Sequence, residues 1–147
     1  YNHRPTGRGD DYLDLTGMAL FPFGHGLSYT TFTYSRMRIG TPVITGAGST
    51  AVTCTVTNTG TRTGDEVVQL YVRDVLASLA RPVMELQGFQ RITLAPGESR
   101  DVTFTVGPEQ LKMLDEKMEW TVEPGEFRLM IGASSKDIRL RGILSVK

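Results

Sequence analysis

The chain has 147 residues, 39% of them hydrophobic and 22% charged, which suits one globular domain and is too little for two ordinary ones. Sixteen Lys and Arg are matched by sixteen Asp and Glu, so there is no positive excess for nucleic acid or an anionic membrane. Cys54 is the only cysteine, which excludes an internal disulfide framework and a cysteine-based zinc cluster, and no apolar run approaches the ~20 residues of a membrane span.

Residues 1–19 hold no sustained period of 2 or 3.6. They read as an extended arm, with too few apolar groups to offset the entropy of ordering it. The chain begins at Tyr1 and shows no signal-like segment, the expectation for a piece of a longer polypeptide. Arg8-Gly9-Asp10 spells an adhesion tripeptide, but a three-residue match in an arm has little weight. Asp10, Asp11 and Asp14 lack the further oxygen ligands and distal Glu of a calcium loop. His3 and His25, the two histidines, have no metal-ligand spacing.

The next stretch separates two kinds of sequence. Leu20-Phe21-Pro22-Phe23-Gly24-His25-Gly26-Leu27-Ser28-Tyr29-Thr30-Thr31-Phe32 sets four aromatics and two leucines among two glycines and a proline. Pro22 biases Phe21 to extended backbone, and the glycines permit positive φ or close approach. The segment is expected to be a tight loop that must bury large side chains somewhere. Gly24-His25-Gly26 is no dinucleotide fingerprint, since no strand precedes it and Tyr29 stands where the third glycine belongs.

From Phe32 on, short alternating strands are split by turns. Phe32–Ile39 is the first, with Phe32, Tyr34 and Arg36 on one face. Val43 and Ile44 make a brief edge contact. Thr50–Asn58 alternates Val52, Cys54 and Val56 with threonines, which makes Cys54 a small buried hydrophobe and not a nucleophile. Asp65–Asp74 is apolar on both faces and so central. Arg81–Leu94 is a strand whose parity slips unless Gly88 hosts a bulge. Val102, Phe104 and Val106 share a face of the next. Pro108 opens one helical turn. Met113–Val122 is a hairpin turning at Asp115-Glu116-Lys117, and the phase of Met118, Trp120 and Val122 assigns Trp120 to the core. Phe127, Leu129 and Ile131 form one further strand face, and Ile138, Leu140, Leu144 and Val146 the last. Seven or eight strands with almost no helix predict an antiparallel β-sandwich.

Four stretches occur in order that together resemble the fibronectin type III-like domain of family-3 glycoside hydrolases, the β-glucosidase and β-xylosidase family. They are residues 20–32; Val56-Thr57-Asn58-Thr59-Gly60 with Gly64 through Val72; Glu85-Leu86-x-Gly88-Phe89-x-Arg91 with Leu94-Ala95-Pro96-Gly97-Glu98-Ser99; and Val122 through Phe127 with Gly132-Ala133-Ser134-Ser135. The resemblance implies an all-β, fibronectin type III-like (immunoglobulin-like) sandwich over residues 32–147. It also implies an arm and loop over 1–31 linking to catalytic domains upstream, which hold the nucleophilic aspartate and the acid/base residue. No residue of this chain inherits a catalytic role, and no cofactor or metal is implied.

The expected function is that of a non-catalytic accessory domain in a retaining β-glucosidase acting on terminal β-D-glucosyl residues, the parent being secreted or periplasmic. Its partner is then the catalytic part of the same polypeptide, docked through Phe21, Phe23, His25 and Tyr29. Two other classes are weighed. A carbohydrate-binding module would present two or three coplanar exposed aromatics on one face, and an adhesion domain a ligand loop or a polymerising edge.

Overall fold

A computed structural model describes residues 19–79 and 81–147. The adhesion tripeptide, the three early aspartates, His3 and nearly all of the extended arm lie outside the described residues. Ten strands and one helical turn follow one another: β1 (Phe32–Ile39), β2 (Val43–Ile44), β3 (Thr50–Asn58), β4 (Gly64–Asp74), β5 (Glu85–Leu94), β6 (Ser99–Val106), α1 (Pro108–Leu111), β7 (Met113–Leu114), β8 (Trp120–Thr121), β9 (Gly125–Gly132) and β10 (Ile138–Val146). They form a three-stranded sheet in the order β1-β3-β6, a five-stranded sheet in the order β2-β10-β9-β4-β5, and a separate β7-β8 ribbon. Every pairing is antiparallel except that of β2 with the end of β10.

The inward phase of each strand builds one core between the two large sheets. Val52, Cys54, Val56, Val102, Phe104 and Val106 come from one side. Val68, Leu70, Val72, Phe127, Leu129, Ile131 and Leu144 come from the other. β4 is apolar on both faces because it lies between β9 and β5 and is covered on its outer side as well. Burial pushes the Cys54 thiol up to about 11, which leaves it protonated and inert. The parity slip in β5 is a bulge: Leu70 pairs with Gly88, Tyr71 with Leu86, and Gln87 is the extra residue. Gly88 sits where a Cβ would press on the ring of Phe104 at 3.0 Å.

Two expectations fail, both because strict alternation does not survive an irregular backbone. Arg36 does not continue the face of Phe32 and Tyr34. A register shift falls between Ser35 and Arg38, Arg36 takes φ 55°, and the residues that reach the core after it are Met37 and Ile39. Trp120 is not in the core; it is 64% exposed. The hairpin that carries it is only two residue pairs long, and Asp115 closes its turn by accepting from the N–H groups of Lys117 and Glu119. Met118 takes φ 63° there. The tip of the ribbon with Met118 and Trp120 therefore stands off the sandwich, while Met113 at its base is buried and Val122 rejoins the core.

Two buried polar groups at the same end of the sandwich have opposite situations. Asn58 is fully buried and fully satisfied. Its Oδ1 accepts from Thr30 Oγ1 at 2.8 Å and from the Gly60 N–H at 3.0 Å, while Nδ2 donates to the carbonyls of Arg62 at 2.8 Å and Leu94 at 2.9 Å. Tyr34 Oη is buried with no well-formed hydrogen bond, its polar neighbour being the Glu66 carboxyl. Burial holds the Tyr34 phenol well above the usual range, and also raises the pKa of the neighbouring Glu66 carboxyl against the pull of the Val67 N–H and Arg139.

Asn58→Asp keeps the shape and the two accepted bonds but turns both donated bonds into contacts between a carboxylate and a carbonyl. Urea unfolding at neutral pH is expected to show a loss of at least about 2 kcal/mol. For Glu66 the raised folded-state proton affinity means that stability from the neutral form is complete at low pH and is lost as pH rises through the folded pKa. Glu66→Gln is therefore expected to melt higher than the parent sequence at pH 7, with the gap closing below about pH 4. A constant gap across that range would mean the carboxylate is not desolvated.

Candidate docking site

The loop of residues 20–31 is laid against the outer face of the five-stranded sheet, and a close approach at Gly24 fixes it. Gly24 takes φ 79°, a region that favours glycine. A Cβ there would overlap Gln69 Oε1 and come within 2.8 Å of Tyr71 Oη. Gln69 Nε2 donates to the carbonyls of Gly24 at 3.0 Å and Ala133 at 2.6 Å, and Tyr71 Oη donates to Gln69 Oε1 at 2.5 Å. Both residues sit on the outward phase of β4, yet they are buried beneath this segment. Burial pushes the Tyr71 phenol up to about 12. The Phe23 carbonyl accepts from the Ser135 N–H at 2.9 Å, and the His25 N–H closes a turn on the Pro22 carbonyl at 3.0 Å. At the far end Thr30 enters the Asn58 network, and Gly60 leaves the room for it, since a Cβ there would overlap Thr30 Oγ1.

The loop is thus pinned by its backbone, and most of its apolar side chains are left outside. Phe21 is 68% exposed, Leu27 94% and Tyr29 92%. Phe21 and His25 stack with ring centroids 5.2 Å apart and planes tilted by 38°. Phe23 is 40% exposed and forms one wall of a groove of about 600 Å³. Val67 and Phe89 of the sheet line it as well, together with Asp137 and Arg139. Of the four residues singled out in sequence, Phe21, Phe23 and His25 are brought together and Tyr29 stands apart on the later part of the loop. Val67 and Phe89 extend the same apolar surface onto β4 and β5, and sequence reading missed them as site residues. The signal was present in the outward phase of β4, where Val67 precedes Gln69 and Tyr71.

The carboxylates around this groove do not form a hydrolytic pair. Asp65 accepts from Arg91 and from Thr93 Oγ1 at 2.5 Å, and these hydrogen bonds hold it below the usual carboxylate range. Arg139 does the same for Asp137 through bonds at 2.7 and 3.1 Å. Glu66, whose pKa is raised, follows Asp65 directly, so strand alternation sends the two to opposite faces of β4. Among the described residues no group of three His, Cys, Asp or Glu side chains could hold a metal ion, and no helix is long and apolar enough to cross a membrane.

A second exposed region lies at the opposite end of the sandwich, where β4 runs out and β5 begins. Arg81 anchors the connection between them, to Asp74 at 3.3 Å, to Glu85 at 2.8 Å and to the Leu111 carbonyl at 3.4 Å. Beside it the Lys112 ammonium lies 4.9 Å from the centre of the Trp120 ring, which covers that aromatic with a cation.

Comparison with known proteins now places this architecture. The family model described as a fibronectin type III-like domain matches residues 66–135. A β-xylosidase of Formosa agariphila is 50% identical over 87% of this chain, and a periplasmic β-glucosidase of Salmonella typhimurium is 41% identical over 95%. The chain spans only 18% and 20% of those two relatives. Among solved structures, a β-glucosidase from Erythrobacter marinus superposes on the whole chain with a TM-score of 0.92 at 41% identity. A β-glucosidase from Listeria innocua in complex with glucose gives 0.90 at 33% over 99% of the chain. The matched part is 19% and 22% of those two proteins. This chain belongs to the fibronectin type III-like domains carried by family-3 glycoside hydrolases of the β-glucosidase and β-xylosidase kind.

Proposed function

We propose that this chain is the non-catalytic accessory domain of a β-glucosidase-type enzyme and works by seating on the catalytic part of the same polypeptide through the aromatic loop. The observation that carries the reading is the apolar surface of Phe21, Leu27, Val67 and Phe89, exposed on the side of the sandwich that the loop crosses and left out of a core that closes without them. A patch of that kind marks an interaction site on a soluble domain. The relatives support the assignment, since four-fifths of their length lies outside the matched region. Their names favour terminal β-D-glucosyl residues as the parent's substrate, with β-xylosides next, and the periplasmic relative favours a secreted or periplasmic parent.

A second reading has one specific observation behind it. Trp120 is exposed, and an exposed indole is a platform on which a sugar ring can stack. Docking remains the better account, because Trp120 stands at the opposite end from the aromatic loop and has no exposed aromatic beside it on its ribbon. Retention of the isolated domain on cellulose or xylan, abolished by Trp120→Ala without loss of fold, would decide for this second reading.

Three measurements test the main reading. The isolated chain is expected to hydrolyse neither nitrophenyl β-glucoside nor nitrophenyl β-xyloside; turnover that follows this chain through purification would overturn it. Phe21→Ala is expected to leave the isolated chain within about 0.5 kcal/mol of its original stability, because a side chain open to water loses little there. In the parent enzyme the same change should cost about 1–3 kcal/mol, the burial lost when one docked aromatic is removed. Equal losses in the two settings would assign the loop to the sandwich alone. Gly24→Ala should unseat the loop in both settings, since neither Gln69 nor Tyr71 can withdraw without breaking the bonds they exchange.

A further inference from the structure

The face of the five-stranded sheet that carries the aromatic loop also carries three arginines with no carboxylate partner. Arg73 on β4 and Arg128 on β9 are direct cross-strand partners, so their side chains leave the sheet side by side. Arg128 is in turn opposite Ile143 on β10, and Arg141 lies two residues along that strand on the same face. All three are exposed and none forms an ion pair among the described residues, which is also true of Arg36, Arg38 and Arg62; what sets the three apart is that register places them together on one face. The carboxylate nearest in register, Glu126, makes no salt bridge with Arg128. Like charges directly opposite in a sheet are destabilising. A local rule broken without compensation inside the chain is expected where something outside supplies it.

We propose that Arg73, Arg128 and Arg141 receive a carboxylate-bearing surface of the parent enzyme's catalytic part, so that docking covers the outer face of the sheet from the aromatic loop to the arginine cluster. The proposal rests on the docking reading above and adds the charge of the partner surface. Continuity on one face with the aromatic loop favours this occupant, and three clustered cations call for a surface that carries carboxylates. A second copy of this chain meeting the face about a two-fold axis would set arginine against arginine. Three arginines on a chain of zero net charge are also a poor footprint for nucleic acid.

The test is a sign change between two settings. Arg128→Glu removes the like-charge pair with Arg73, so the melting temperature of the isolated 147-residue chain should stay level or rise. In the parent enzyme the same substitution should lower it by about 2–4 °C, and the difference should shrink in high salt as the charges are screened. A rise in both settings would show that the arginines face water, and a fall in the isolated chain would place their carboxylates within it; either overturns the proposal. Phe21→Ala run in parallel separates the two readings: a parent that responds to Phe21→Ala and not to Arg128→Glu docks through the loop alone. Binding of polygalacturonate by the isolated chain, lost in Arg128→Glu, would assign the cluster to an acidic polysaccharide and likewise overturn it.

Discussion

The described structure depends on one buried amide. Asn58 ends β3, and every polar atom of its side chain is used to tie a different part of the chain to that end. Thr30 brings in the last residues of the aromatic loop, Gly60 and Arg62 belong to the β3–β4 turn, and Leu94 is the end of β5. Its backbone extends the tie to the β5–β6 turn, donating to the Glu98 carbonyl at 3.0 Å and accepting from the Gly97 N–H at 2.9 Å. A network like this is favourable only when complete, since a buried amide left half-paired costs more than the bonds it keeps. It therefore fixes where the loop enters the sandwich as strongly as it fixes the turns.

That entry point determines what the loop can do. Held at Thr30 by Asn58 and at Gly24 by Gln69 and Tyr71, the loop has little freedom left in its backbone. Its aromatic side chains are consequently presented from a fixed track and do not collapse onto the core. The same contacts bury Gln69 and Tyr71, polar groups on the outward phase of β4 that would otherwise stand in water. Sandwich and loop thus complete each other at their polar contacts, and the apolar remainder faces outward. This is the arrangement expected of a surface prepared for a partner with little ordering cost left to meet on binding.

Much of this was legible in the sequence because it rests on period-2 alternation, which is local. The bounds of β1 and β3, the double-sided β4 and the slip near Gly88 follow from residue spacing alone. What alternation could not show is where it stops. Arg36 and Met118 both take positive φ, a conformation that no neighbouring glycine or proline announces, and each throws off the phase of what surrounds it. Trp120 was misplaced for that reason: phase with Val122 is evidence of a shared face only along a continuous strand, and β8 is two residues long. The arginine cluster was illegible for a different reason. Arg73, Arg128 and Arg141 are spread over 69 positions, and only cross-strand register brings them together.

The two outer faces of the sandwich carry opposite solutions to the same problem. On the three-stranded sheet the outward residues are hydroxyls and a carboxylate that satisfy one another across strands. Thr53 pairs with Thr103 at 2.9 Å, Thr57 with Ser99 at 2.7 Å, and Thr55 donates to Asp101 at 2.6 Å. Gln90 reaches over from β5 and donates to the Thr103 carbonyl at 2.6 Å, which occupies an acceptor on the free edge of β6 and blunts it against strand addition. That face is finished in water. The five-stranded face is satisfied only in part: Asp65 is bonded to Arg91 and Thr93, and Gln69 and Tyr71 seat the loop, but Phe21 and Phe89 project and Arg73, Arg128 and Arg141 have no ion-pair partner among the described residues. A domain with one self-satisfied face and one partly satisfied face has a defined orientation toward whatever it meets. The face with the projecting aromatics and the unpaired arginines is the one the loop crosses, so the chain segment that leads into the sandwich and the proposed docking surface are on the same side.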